Sequence, residues 1–176
     1  MRCSNHNHLS NNAMDTSLKE IIWQQFGAAI DMLENALIAC PGELWDTPSK
    51  FWYNGYHTLF WLDYYLSEDP KNFLPPSPFT LSEFDPGGAL PDRVYSRAEL
   101  LAYLSFGRQK CHDLIAGLTA ADASGRFINE KKNYSITEIL LYNMRHVQHH
   151  AAQLNLLLRQ GMMEPPRWVS RAKLSL

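Results

Sequence analysis

The chain has 176 residues, 45% hydrophobic and 19% charged, with a formal net charge of -2. That is the composition of an ordinary soluble globule, of a length that suits one domain burying roughly 70% of its unfolded surface. A pI near 6.4 offers no electrostatic footprint for nucleic acid, and no stretch approaches the ~18 apolar residues that suggest a membrane span.

The first 13 residues are rich in Asn, Ser and His without hydrophobic period, and read as a disordered tail despite the His6/His8 pair. Residues 14–176 read as a single domain, and Met14, where the amphipathic pattern begins, is a candidate start. No apolar signal-peptide core lies between Met1 and Ser17. Cys3, Cys40 and Cys111 are odd in number and far apart. Neither a disulfide framework nor a cysteine zinc site follows, so a reducing, cytoplasmic setting is expected.

Four segments carry helical periodicity. The first spans about Thr16 to Cys40, with Ile22, Phe26, Leu33 and Leu37 on one stripe and Pro41-Gly42 as its stop. The second is expected to open with Thr47 as N-cap and Pro48 at the first helical position, and to run to about Ser67. The third begins at a capping box, Ser96-Arg97-Ala98-Glu99, and the fourth at another, Ser135-Ile136-Thr137-Glu138, ending near Gly161.

No run of alternating apolar residues is long enough for a sheet, so the fold class is all-α, a four-helix bundle. Roughly 28 residues separate the second and third helices, far more than an antiparallel hairpin needs. Six of the ten prolines lie in that connection: Pro70, Pro75, Pro76, Pro78, Pro86 and Pro91. It can travel the length of a bundle, leaving helices 2 and 3 parallel. Its residues Phe73, Phe79, Leu81 and Phe84 suggest a strap packed on the helices, with walling of a pocket as the sharper alternative.

Chemistry concentrates on two helices. Stepping 100° per residue along the fourth places Ile139, Asn143, His146, His150, Gln153 and Leu157 on one stripe. The adjacent stripe, Leu140, Met144, Val147, Ala151, Leu154 and Leu158, is a core face. His149 falls on a more polar face and is the lesser ligand. Histidines four apart stack on one helix face, and burying that polar stripe without a partner is costly. His57 sits among Tyr53, Phe60, Trp61 and Tyr64, surroundings that favour a neutral imidazole. Three such nitrogens with open positions suit a catalytic zinc, nickel or iron.

Sharper motifs are excluded. A metalloprotease His-Glu-x-x-His would need Glu where Val147 stands, and no histidine has the Glu three residues earlier that di-iron bundles use. His112 pairs with no spaced partner. Cys111 reads as a small core residue, and Asp63, two residues beyond Trp61, is expected to face the surface rather than serve as a base.

The Tyr-His-Thr-Leu-Phe-Trp-Leu-Asp run around His57, with His-Val-Gln-His-His-Ala-Ala-Gln-Leu at 146–154 and Leu-Leu-Arg-Gln-Gly at 157–161, closely resembles the DinB-like (DinB/YfiT) metalloproteins. The resemblance covers about Thr16 to Gly161. The family's usual Gly before Gln153 is Ala152 here, which leaves the ligands untouched. The resemblance implies His57, His146 and His150 as ligands of zinc, nickel or another divalent ion such as iron or manganese. It implies an up-down-down-up bundle with a long crossover, frequent homodimers, and thiol-dependent S-transferase or isomerase activity using a low-molecular-weight thiol.

Two readings follow. In the first, the protein is a metal-dependent transferase or isomerase acting on a small molecule, with hydrolysis as a variant. Asn143, Gln153, Tyr53, Trp61 and Tyr64 then support the ligands or the substrate. In the second, the bundle holds a metal or small ligand without catalysis. An exchangeable coordination position separates them.

Overall fold

A computed structural model describes residues 16–161 and 165–176; the tail read as disordered lies outside them. The elements in chain order are α1 (Thr16–Ala39), α2 (Gly42–Trp45), α3 (Phe51–Tyr64), α4 (Arg97–Gly117), α5 (Ala120–Ser124), β1 (Arg126–Ile128), β2 (Asn133–Ser135) and α6 (Ile136–Gly161). The described residues are therefore mostly helical. None of the described helices is long and apolar enough to cross a membrane.

The four long helices pack in pairs: α1 lies against α4 and α6, and α3 against α4 and α6. The stripe predicted for α1 faces inward, with Ile22, Phe26, Leu33 and Leu37 all buried, joined by Trp23 and Ile30. On α6 the predicted core face is also inward: Leu140, Val147, Ala151, Leu154 and Leu158 are buried, and Met144 packs partly against the core. Burial of this kind contributes about 1.5–3 kcal/mol per large apolar side chain. It is the main force holding α6 against α1 and α3.

The capping box of α4 is complete. Ser96 Oγ accepts from the Glu99 N–H, and the Glu99 carboxylate accepts from the Ser96 N–H at 2.8 Å. At α6 the Ser135 hydroxyl accepts from the Glu138 N–H at 3.1 Å.

The predicted start of the second long helix is corrected. Thr47 and Pro48 lie in a turn closed by the Lys50 N–H on the Thr47 carbonyl at 2.8 Å. Thr47 Oγ1 is engaged by Ser49 Oγ at 2.6 Å, so it caps nothing. Lys50 is left-handed, with φ 48°, and this breaks helical continuity so that α3 begins only at Phe51. The helix also stops earlier than expected, at Tyr64, with Tyr65 to Ser67 forming its closing turn.

The segment from Tyr65 to Ser96 contains short 3-10 turns at Pro70–Asn72 and Ser82–Phe84. Phe73 and Phe79 are buried, and Phe79 stacks on Tyr103 with ring centres 4.3 Å apart. Tyr56 donates its hydroxyl to the Thr80 carbonyl at 2.6 Å. This strap is thus packed on α3 and α4. A three-residue hairpin, with Phe127 opposite Tyr134, leads directly into α6; strands that short carry no readable alternation. After α6, the segment 168–174 lies along α1: the Ala172 N–H donates to the Gln24 carbonyl at 3.0 Å, and Trp23 Nε1 donates to the Leu174 carbonyl at 2.8 Å.

Candidate metal centre

Packing of α3 against α6 brings His57 opposite His146 and His150, which lie one turn apart on α6. The ring centres are 5.4 Å apart for His57–His146, 4.7 Å for His57–His150 and 4.5 Å for His146–His150. One ring nitrogen from each lies within 4.8 Å of the others, a spacing that could hold a metal ion. The three residues named from sequence are thus brought together, and no other such cluster of His, Cys, Asp or Glu occurs among the described residues.

Two of the rings are oriented by hydrogen bonds. His57 Nδ1 donates to Glu83 Oε2 at 2.7 Å, and the same oxygen accepts from Trp61 Nε1 at 2.9 Å. His150 Nδ1 faces Gln153 Oε1 at 2.8 Å. With Nδ1 engaged in this way, each imidazole keeps Nε2 as its free lone pair, the arrangement typical of metal-binding histidines. His146 Nδ1 is buried with no partner among the described residues. A buried nitrogen left bare is costly.

The electrostatics favour neutral rings at His146 and His150. Burial, followed by the neighbouring His150 and His57, pushes His146 down to about 3. Burial and His57 push His150 down to about 4. Burial opposes the charge on Glu83, but the bonds and charge of His57, with donors from Trp61 and Tyr53, still hold its carboxyl below the ordinary value. Its side chain is only 4% exposed. Three histidine nitrogens, two of them on rings held neutral by burial, with a buried carboxylate behind the third ring, make a donor set that could hold a metal ion.

The other sequence candidates separate. Tyr53 and Trp61 flank His57, each ring centre 6.3 Å from it, and burial with the nearby Glu83 carboxylate raises the Tyr53 phenol. Gln153 bridges His150 and His149. Tyr64 is set back: its hydroxyl accepts from Asn129 Nδ2 at 3.2 Å, and its ring packs on Phe73 and Phe84. Asn143 is fully buried and ties α6 to α3 through the Leu62 carbonyl at 2.9 Å. His149 is exposed.

Asp63 is corrected. It is 1% exposed rather than surface-facing, because Lys110 and the Tyr103 hydroxyl hold it against α4. His112 sits edge-on to Trp23 at 4.9 Å. Cys111 is fully buried, which pushes its thiol up.

Glu83 is the principal residue that sequence reasoning missed. It lies in the strap, 26 positions from His57, with no periodicity to flag it. Tyr65, whose ring centre is 6.2 Å from His146, and Asn54, which reaches Gln153 Oε1 at 3.5 Å, are further neighbours. A cleft of about 610 Å³ opens beside His146, lined by Gln25 and Ala29 of α1, Tyr142, Arg145 and His149 of α6, and Trp168.

Helices that converge three histidines, one braced by a buried carboxylate, define a candidate metalloprotein site on a mostly helical scaffold. The family follows from the sequence: a DinB superfamily model matches residues 18–154, and the chain belongs to that superfamily. No curated protein and no solved structure matches the chain at a significant level.

Proposed function

We propose that the protein binds one divalent ion, zinc or nickel, through His57, His146 and His150, and catalyses a thiol-dependent transfer or isomerisation on a small electrophile. The observation that carries this reading is the donor set: three histidine ring nitrogens within 4.8 Å of one another, with no carboxylate among them. Such an ion, when bound, keeps its full charge and lowers the pKa of a thiol or water at an open position.

Everything else is work for the chain. Glu83 and Gln153 orient His57 and His150. Tyr53 and Trp61 supply an apolar wall for the electrophile. Glu83 Oε2 accepts from His57 and Trp61, and its carboxyl is held below the ordinary value, which makes it a weak base for water and favours a thiol over hydrolysis. A thiol needs less help, since its ordinary pKa of about 8.5 is close to neutral. In a transfer the sulfur forms the new bond to carbon as chloride leaves the electrophile and the thiol proton goes to solvent; in an isomerisation the sulfur adds to the double bond and is expelled after rotation about the resulting single bond, which regenerates the thiol. The same reading takes the four long helices as an up-down-down-up bundle, homodimeric and cytoplasmic.

The test is metal analysis of the purified protein, followed by turnover of a chlorinated aromatic or maleyl electrophile with bacillithiol, mycothiol or glutathione. The expected result is close to one ion per chain and thiol turnover that His57→Ala removes. Turnover unaffected by His57→Ala, or none with any thiol, would favour a non-catalytic metal-binding or ligand-binding role.

A further inference from the structure

The cleft beside His146 has no Asp or Glu in its lining. Arg145, which does line it, is exposed and forms no ion pair with a described residue. The one carboxylate at the metal centre, Glu83, directs Oε2 to His57 and Trp61, and its Oε1 is buried away from solvent without a partner among the described residues.

A second cation stands near. The Lys132 ammonium lies 4.8 Å from the Tyr142 ring centre and 5.4 Å from that of Tyr65. Tyr142 also lines the cleft, and Tyr65 touches His146, so a single aromatic ring separates Lys132 from a proposed ligand. Lys132 too has no carboxylate partner among the described residues.

Its backbone is held in place. Asn129 Oδ1 accepts from the Lys131 and Lys132 N–H groups at 2.9 and 2.7 Å, and the Asn129 N–H donates to the Lys132 carbonyl at 3.0 Å. The Asn129 amide in turn reaches the Tyr64 hydroxyl on α3. A half-buried lysine, its backbone fixed by its loop, its ammonium beside two aromatic rings and without an anion, is arranged to receive one.

We propose that Lys132 and Arg145 form an anion-binding rim on the three-histidine site, and that its thiol substrate carries a carboxylate. The proposal rests on the thiol reading above. The carboxylate pairs with the rim while the sulfur reaches the open side of the histidine cluster, so the two ends of one small molecule are recognised separately.

The experiment uses cobalt-loaded full-length protein and follows the near-ultraviolet thiolate-to-cobalt charge-transfer band. The two probes, 4-mercaptobutyrate and 4-mercaptobutan-1-ol, match in length and differ in terminal charge. The mercaptocarboxylate should bind about tenfold tighter than the alcohol, as expected for a hydrogen bond to a charged group. Lys132→Met and Arg145→Met should each reduce that ratio, and the double variant should bring it near unity with the alcohol's affinity unchanged. Equal affinities in the wild type, or a ratio surviving in the double variant, would overturn the proposal. So would equal weakening of both thiols, which would assign Lys132 to hairpin packing. Absence of the band with either thiol would instead overturn the thiol reading, and the rim with it.

Discussion

Replacing Glu83 tests whether the strap is part of the metal centre. Glu83 Oε2 takes one hydrogen bond from His57 at 2.7 Å and one from Trp61 at 2.9 Å. In Glu83→Gln an amide oxygen can still accept from His57, but the charge assistance is gone. Hydrogen bonds to a charged group contribute about 1.5–3 kcal/mol against about 0.5–1.5 for neutral pairs. The loss is therefore about 1–1.5 kcal/mol, or roughly tenfold in metal affinity. Glu83→Ala leaves both donors bare and the His57 ring free to turn, and should approach the ~100-fold upper end for lost outer partners of metal-binding histidines. The measurement is competition with a chromophoric chelator at neutral pH, with circular dichroism to show that the helices persist. Because Glu83 sits in the strap, metal should also protect residues 65–96 from proteolysis in the wild type more than in Glu83→Ala. Metal affinity unchanged within twofold in both variants, with the fold intact, would refute the reasoning.

His57→Ala, His146→Ala and His150→Ala should each abolish stoichiometric metal binding, while His149→Ala, on an exposed ring, should keep it; equal metal loss in the His149 variant would remove the ligand assignment. The metal-free protein should lose stability as pH falls below about 6.5. His146 and His150 are held down to about 3 and 4 when folded, so the unfolded chain takes up protons that the folded chain refuses. That contribution is fully present above pH 6.5 and is lost as pH falls through about 4 and then about 3. Urea melts at several pH values should show it, and a His146→Phe/His150→Phe double variant should flatten it. Ser96→Ala should cost about 1 kcal/mol through the cap on α4, a fall of roughly 2–4 °C in Tm for a chain of this size. An unchanged melt would show that the Ser96–Glu99 box contributes nothing net.

The helices and the His146/His150 pair were legible in the sequence because both are local, whereas His57, some 90 positions away, joined them through the family resemblance and a match of helix depths. Apolar spacing on α1 and α6 marks which face turns inward, and Ser96 and Ser135 sit where a cap must be. The separation of His146 from His150 by one turn is a property of helix geometry alone. The start of α3 misread because Thr47-Pro48 is an equally good turn; the left-handed Lys50 and the Thr47–Ser49 contact decide between them. Asp63 looked like a surface residue because nothing local announces Lys110 and Tyr103, which come from α4. Beyond the histidines of α6, which residues meet the cluster from outside its helices was decided only by the route of the connecting segments. Glu83 reaches His57 because the strap is pinned by Phe73, Phe79 and Tyr56, and Lys132 reaches Tyr65 because Asn129 ties the hairpin turn to Tyr64. Those contacts join residues far apart in the chain and depend on packing, which hydrophobic periodicity does not encode.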